Sequence, residues 1–304
     1  MCLLIVGSVA YDSIKTPFGE AEKVLGGSAS YASVAASFFN SVNLVAVVGE
    51  DFPKSEVEFF NSRNINTDGL NIKPGKTFFW KGEYGYDMND AHTLDTQLNV
   101  FADFQPILKD EYKNSEYVFL ANIDPEIQLN ILEQMNKPKF VALDTMNLWI
   151  NIKKEKLIEV ISKVDILFIN ESEIKQLTGE FNIIKAANKV FEYGLKYLVI
   201  KRGEYGILFF EKDKIFSLPA YPLEIVKDPT GAGDSFAGGF MGYLSKIDKI
   251  DEPSLRKSAV IGTMMASINV EDFSLNRFKE TTSDLIFQRL VEFRKILNFE
   301  EINI

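Results

Sequence analysis

The run Asp228-Pro229-Thr230-Gly231-Ala232-Gly233-Asp234-Ser235-Phe236 carries the sharpest chemistry in the sequence. Glu224–Val226 ahead of it read as a strand end, and Phe236, Phe240, Tyr243 and Leu244 behind it recur at helical spacing. Gly231–Gly233 are therefore the turn that starts a helix. Glycines let the backbone bend and come close to a ligand, and the free N–H groups of a helix start, with its dipole, make an anion site. An acid at that place is unexpected, because Asp234 stands where a phosphate would be held. It suits a base that takes a proton from an alcohol while the N–H groups hold a transferring phosphoryl group. The competing reading is an aspartate that only caps the helix.

Other polar residues stand at the ends of apolar runs, where ligands of open α/β sheets gather. Asn170 and Glu173 follow one such run. An amide and a carboxylate one helical turn apart could hold the waters of a hard cation such as Mg²⁺. The same pair also approximates a capping box, and the two readings are compatible. Asp12 follows the first strand, and a carboxylate can accept from both hydroxyls of a vicinal diol; an Asx-turn is the plain alternative. Asn122, the stretch Asp144-Thr145-Met146-Asn147, and Lys201 with Gly203 end other runs, and turn formation explains the first two equally well.

The runs that must position these residues are Leu3–Val6, Leu44–Val48, Tyr117–Ala121, Phe140–Leu143, Ile166–Ile169 and Tyr197–Ile200. They are nearly continuous, as strands buried on both faces of a parallel sheet are. Segments of 3.6-residue period lie between them, among them Ser28–Phe39, Pro125–Gln134 and Ile152–Ser162. The alternation predicts a doubly wound α/β layer structure. Two regions break it, about 13–24 and about 76–101, and these read as a small β flap or as surface loops. Asp234–Leu244, Ser254–Val270 and Asn276–Asn298 read as helices. No repeat or linker divides the 304 residues, so one domain is expected.

Composition narrows the classes further. The 33 basic and 43 acidic residues give a net charge of −10, which repels nucleic acid and anionic lipid where no basic patch offsets it. No apolar stretch is long enough to span a membrane, and the apolar start Met1–Gly7 lacks the basic residues of a signal peptide. A cytoplasmic location is expected. One cysteine and one histidine exclude a disulfide framework and a Cys- or His-rich metal centre. No G-x-x-x-x-G-K-[ST] loop and no H-R-D loop is present, and Gly7-Ser8-Val9-Ala10-Tyr11 lacks the dinucleotide fingerprint of a Rossmann dehydrogenase.

The run Asp228–Asp234 resembles the C-terminal signature of the ribokinase-like (PfkB) carbohydrate kinases. Gly26-Gly27-Ser28-Ala29-Ser30, Gly49-Glu50-Asp51, Asn170-Glu171-Ser172-Glu173 and Lys201-Arg202-Gly203-Glu204-Tyr205-Gly206 are similar to further motifs of that family, in its order, over about residues 5–275. The resemblance implies a central, mostly parallel sheet flanked by helices with a small β-sheet lid. It implies transfer of phosphate from ATP, with Mg²⁺, to an alcohol of a sugar, nucleoside or related small molecule. Asp234 would be the base, with Gly231, Ala232 and Gly233 forming the anion hole. Gly26, Gly27, Asp12, Asn122 and Asn147 would meet the substrate. So would Tyr31, which stands where many sugar kinases carry an amide; its ring fits a substrate with a flat base or core packing equally. Asn170, Lys201, Gly203, Gly206 and the stretch Gly262 to Asn269 would border the nucleotide, and Glu173 with Asn170 would hold Mg²⁺ through water. Asp228 and Thr230 match positions that bind a monovalent cation such as K⁺ in some relatives. Phe78, Phe79, Trp80, Tyr84 and Tyr86 would line a lid that pairs with a second copy, giving a homodimer. A sugar or sugar-like substrate is the leading expectation and a nucleoside the alternative. Loss of Asp234 or of the glycines would mark a silent sensor, and neither is lost.

Overall fold

A computed structural model describes residues 2–300 other than 90 and 299. Met1 of the apolar start and Asp90 of the second flap segment thus lie outside the described residues. The strands are β1 (Leu3–Val6), β2 (Ala10–Thr16), β3 (Gly19–Gly26), β4 (Val42–Gly49), β5 (Ile65–Lys73), β6 (Phe78–Tyr84) and β7 (Ala91–Gln97), then β8 (Tyr117–Leu120), β9 (Phe140–Asp144), β10 (Ile166–Asn170), β11 (Tyr197–Lys201), β12 (Ile207–Glu211) and β13 (Lys214–Leu218). Nine of them form one sheet in the order β13-β12-β11-β10-β9-β8-β1-β4-β5, with only the β12 and β13 edge antiparallel. All six predicted strands are present. Each apolar run is buried on both faces: Leu3 and Ile5 enter one core, Leu4 and Val6 the other. Helices Ser28–Ser37, Ala232–Ile247 and Glu252–Asn269 cover the first core, and Pro125–Gln134, Lys154–Ile161 and Ile183–Phe191 cover the second.

β1 sits between β4 and β8, so the chain winds outward in both directions from the β1–β8 boundary. That reversal is where α/β sheets open a crevice at the carboxyl ends of their strands. A second sheet, β3-β2-β6-β7, stands over this end. It is mixed, because β2 runs parallel to β6 while the other two pairs are antiparallel. The flap expected from the sequence is thus a four-stranded lid, with β7 exposed along its whole length.

Three boundaries differ from the sequence reading. Glu224–Val226 lie outside any strand, because Lys227 N–H and Asp228 N–H bond the Val270 carbonyl instead of a sheet partner. The segment Ile152–Ser162 breaks at Lys153, whose backbone leaves the helical region between helices Asn147–Ile152 and Lys154–Ile161. Asn276–Asn298 divides into Asn276–Glu280 and Ser283–Ile296, with Thr282 capping the second piece. No helix among the described residues is long and apolar enough to cross a membrane.

Candidate active site

Gly231 takes φ +76° and serves as the N-cap of helix Ala232–Ile247, which places Asp234 in the first turn. The turn is pinned from several sides. Thr230 N–H donates to Asp228 Oδ1 at 2.9 Å, and Ser274 N–H donates to Asp228 Oδ2 at 3.3 Å. Asn269 Nδ2 donates to the Thr230 carbonyl at 2.7 Å, and Ser235 Oγ donates to Asn269 Oδ1 at 3.2 Å. Ala232 N–H turns back to the Pro229 carbonyl at 3.1 Å. Among the described residues no acceptor meets the N–H of Gly231 or Gly233. The anion hole expected from Gly231, Ala232 and Gly233 therefore has its free donors at the two glycines.

Asp234 is half-buried as a residue. Burial, and next the charge of Asp144, push it up to about 7, while Lys201 and its own backbone N–H pull the other way. Lys201, at the end of β11, donates from Nζ to Asp144 Oδ2 at 2.8 Å. Asp144 ends β9 and is 2% exposed. Glu173 lies beside them, in the first turn of helix Glu171–Thr178 after β10. Its burial raises it to about 7 against the pull of Lys201. Three adjacent strands thus deliver an acid, a cation and a second acid to one corner.

The capping box at Asn170 and Glu173 is present: Glu173 N–H donates to Asn170 Oδ1 at 2.7 Å, and Asn170 N–H donates to Glu173 Oε2 at 2.9 Å. This leaves Glu173 Oε1 as the oxygen available to a metal's water shell. No group of three or more His, Cys, Asp or Glu side chains among the described residues could hold a metal outright. One oxygen beside an acidic corner fits Mg²⁺, which keeps its waters and leans on substrate phosphates. The oxygens matched to the monovalent-cation site are already engaged, since both Asp228 oxygens and the Thr230 carbonyl accept N–H donors.

On the lid side, Asp12 is 4% exposed in β2. The paired glycines make room for it. A Cβ on Gly26 would lie 1.9 Å from Asp12 Oδ2, and Gly27 takes φ +91° with its N–H donating to the carboxyl. Burial, then the nearby Asp228, raise Asp12 to about 8 despite that donor. In the β2–β6 register Asp12 stands opposite Trp80, on the face that also carries Tyr84. Thr230 Oγ1 donates to the Tyr84 hydroxyl at 3.2 Å, so that face is turned to the Asp228–Asp234 turn. Trp80 packs against Gly82, where a Cβ would be 2.3 Å from the indole. The lid tip crosses the cleft: Asn89 Oδ1 is 2.3 Å from where a Cβ on Gly203 would sit.

The structure therefore brings Asp12, Gly26, Gly27, Tyr31, Asp228, Thr230, Gly231, Gly233 and Asp234 into one cleft, with Asn170, Glu173 and Lys201 at its far corner. Others have different positions. Gly262 is buried, and a Cβ there would meet the Phe236 carbonyl at 2.7 Å, so it serves a helix crossing and offers no face to a ligand. Asn269 is turned inward as the clamp on Thr230. Gly206 takes φ +80° beneath the Leu218 carbonyl and closes the turn with Gly203. Asn122 accepts from Trp149 Nε1 at 3.0 Å, and Asn147 is exposed in the first turn of its helix. The sequence left Asp144 open between a ligand position and a turn residue, and gave no sign of its pairing with Lys201.

An acid in the first turn of a helix, two free glycine donors and a covering lid suit a phosphotransferase acting on an alcohol group. The chain matches the pfkB family carbohydrate kinase description over residues 3–282 and belongs to that family. It is 33% identical over 257 residues to the cytidine kinase of Thermococcus kodakarensis, covering 82% of this chain and 91% of the relative. It is 27% identical over 268 residues to a nucleoside kinase of Methanocaldococcus jannaschii, covering 85% and 82%. In three dimensions it superposes on Methanocaldococcus jannaschii nucleoside kinase with a TM-score of 0.76 at 23% identity, covering 96% of this chain and 99% of that one. A putative Ribokinase II from E. coli, in complex with ATP and Mg²⁺, gives 0.77 at 15% identity, covering 97% and 99%. The chain is a sugar or nucleoside kinase with the ribokinase fold.

Proposed function

We propose that the chain transfers the γ-phosphoryl group of ATP to the hydroxymethyl group of a nucleoside. The observation that carries this reading is the indole of Trp80, packed against Gly82 and paired across the strands with Asp12. Asp12 can accept from the two neighbouring hydroxyls of a ribose. An indole on the same lid face offers a stacking surface to a base, which a free sugar would not need. The likeness to a cytidine kinase over most of both chains supports the same class.

In this reading Asp234 takes the alcohol proton, and the Gly231 and Gly233 N–H groups hold the transferring phosphoryl. The lid, anchored through Tyr84 and Thr230, keeps water from competing for that group. Mg²⁺, when bound, supplies neutralising charge on the phosphate oxygens. Glu173 and Asn170 would hold its water shell. Pairing of two lids along the exposed β7 edge is the form the expected homodimer would take, and light scattering of the purified protein reads it.

The deciding experiment is an ADP-release screen with cytidine, uridine, adenosine, inosine, guanosine, ribose and fructose. Turnover with one or more nucleosides well above either sugar is expected. Turnover confined to the sugars overturns the nucleoside reading and leaves the phosphotransferase in place.

A further inference from the structure

Lys201 runs from the end of β11 toward the catalytic turn. Its Nζ is 2.8 Å from Asp144 Oδ2, and a Cβ on Gly233 would lie 2.8 Å from that same nitrogen. Gly233 is one of the two turn residues whose N–H meets no acceptor among the described residues. A full positive charge and a free donor therefore share one spot. Asp144 is held on both sides: Thr145 N–H donates to Oδ1 at 2.8 Å, and the ammonium takes Oδ2. A Cβ at 233 would press on the ammonium itself, so the lysine tip packs directly against the turn.

We propose that Lys201 is the charged member of the anion hole and that Asp144 is the positioning residue that keeps it there. The proposal rests on the phosphotransferase reading. In the transfer, the alcohol oxygen forms its bond to the γ-phosphorus and its proton passes to Asp234. The bond from that phosphorus to the β–γ bridging oxygen breaks, and ADP leaves with the electron pair. Negative charge gathers on the transferring oxygens, and a preset cation in a water-poor site stabilises it without reorganising. A buried ammonium with no counter-ion would be costly in the resting enzyme. Asp144 supplies the counter-ion from behind, leaving the side facing Gly233 free for the phosphoryl group.

The test compares Lys201→Met, Lys201→Arg, Asp144→Asn and the double variant Asp144→Asn/Lys201→Met, with kcat, both KM values and the pH profile of kcat/KM. Lys201→Met should lower kcat by about a hundredfold, the usual effect of losing one such donor, and leave the acceptor KM nearly unchanged. Lys201→Arg should recover part of the rate. Asp144→Asn should lose less than Lys201→Met, and the double variant should be no slower than Lys201→Met alone. The acidic limb of kcat/KM should move to higher pH in Lys201→Met, because Lys201 holds Asp234 down. The double variant leaves no lone buried ion, so it reports on folded protein even where a single variant does not fold. A folded Lys201→Met or double variant within threefold of the wild-type kcat overturns the proposal, as does a loss confined to KM. If Asp234→Asn is inactive in that same case, the phosphotransferase reading survives; a wild-type chain that transfers phosphate to no alcohol overturns both.

Discussion

The ring of Tyr31 lies against Gly231 so closely that a Cβ at 231 would fall 2.3 Å from the ring's Cγ. Gly231 also holds φ +76°, a conformation that L side chains rarely adopt. Ring and turn are therefore fitted to each other, and the free N–H groups of Gly231 and Gly233 lie in a turn that depends on that fit. Gly231→Ala should cost at least about 1 kcal/mol of stability and most of the turnover. A thermal melt together with a rate assay checks both, and a variant as active as wild type refutes the fit.

The Tyr31 hydroxyl is itself informative, because it is buried and has no partner among the described residues. Asp12, Asp228, Tyr84 and Asp234 all lie near enough to raise its pKa, after burial itself. A buried hydroxyl without a partner is destabilising unless a ligand satisfies it. Tyr31→Phe should leave the melting temperature of the ligand-free protein equal or higher and raise the acceptor KM severalfold. An unchanged KM would make the ring a packing residue only.

The Trp80 platform gives a prediction that separates substrate classes. Stacking of a base on an aromatic side chain contributes about 1–3 kcal/mol. Trp80→Leu should therefore lower kcat/KM for the preferred nucleoside by tenfold or more, while turnover of any sugar the enzyme accepts barely changes. Gly82→Ala should act in the same direction, since its methyl would displace the indole. Equal losses for nucleoside and sugar would show that Trp80 supports the lid and does not read the base.

Glu173 can be tested against its own capping role. Glutamine keeps a carbonyl oxygen able to accept the Asn170 N–H that Glu173 Oε2 now takes, so Glu173→Gln should fold with a melting temperature near that of wild type. It should need several-fold more Mg²⁺ for half-maximal rate. A variant with the wild-type Mg²⁺ requirement would leave Glu173 as a cap alone.

Much of this was legible in the sequence, for reasons that differ between elements. The strands β1, β8, β9, β10 and β11 are short and apolar up to their last residue, and burial on both faces leaves no polar alternation to confuse them. β5 was not legible: its residues INTDGLNIK mix polar and apolar types on the sheet's edge, where one side lacks a partner. The Asp228–Asp234 turn was legible because its glycines and acids fall in one short run. The Lys201–Asp144 pair was not, since the two residues are 57 positions apart and only the parallel winding of β9, β10 and β11 sets them together. Gly262, in the stretch expected to border the nucleotide, has the space beside it filled by the Phe236 backbone, which no sequence pattern signals.

The acids of the cleft also make stability depend on pH, with a sign that can be worked out. Burial raises Asp12 to about 8, Asp234 and Glu173 to about 7 and Asp228 to about 6. Each folded-state value lies above that of the unfolded chain, so between roughly pH 4 and 8 the native state binds more protons than the unfolded one. Stability must then fall as pH rises through that window. The carboxyls that are shifted down, such as Asp251 at about 2, act below it and do not cancel the trend. The ligand-free protein should therefore melt at a lower temperature at pH 8 than at pH 5.5. Asp12→Asn should flatten the slope most, because Asp12 is shifted furthest of the four. A melting temperature that rises over this range would mean that the carboxyls are already paired with cations, and that the cleft is less starved of positive charge than its residues make it.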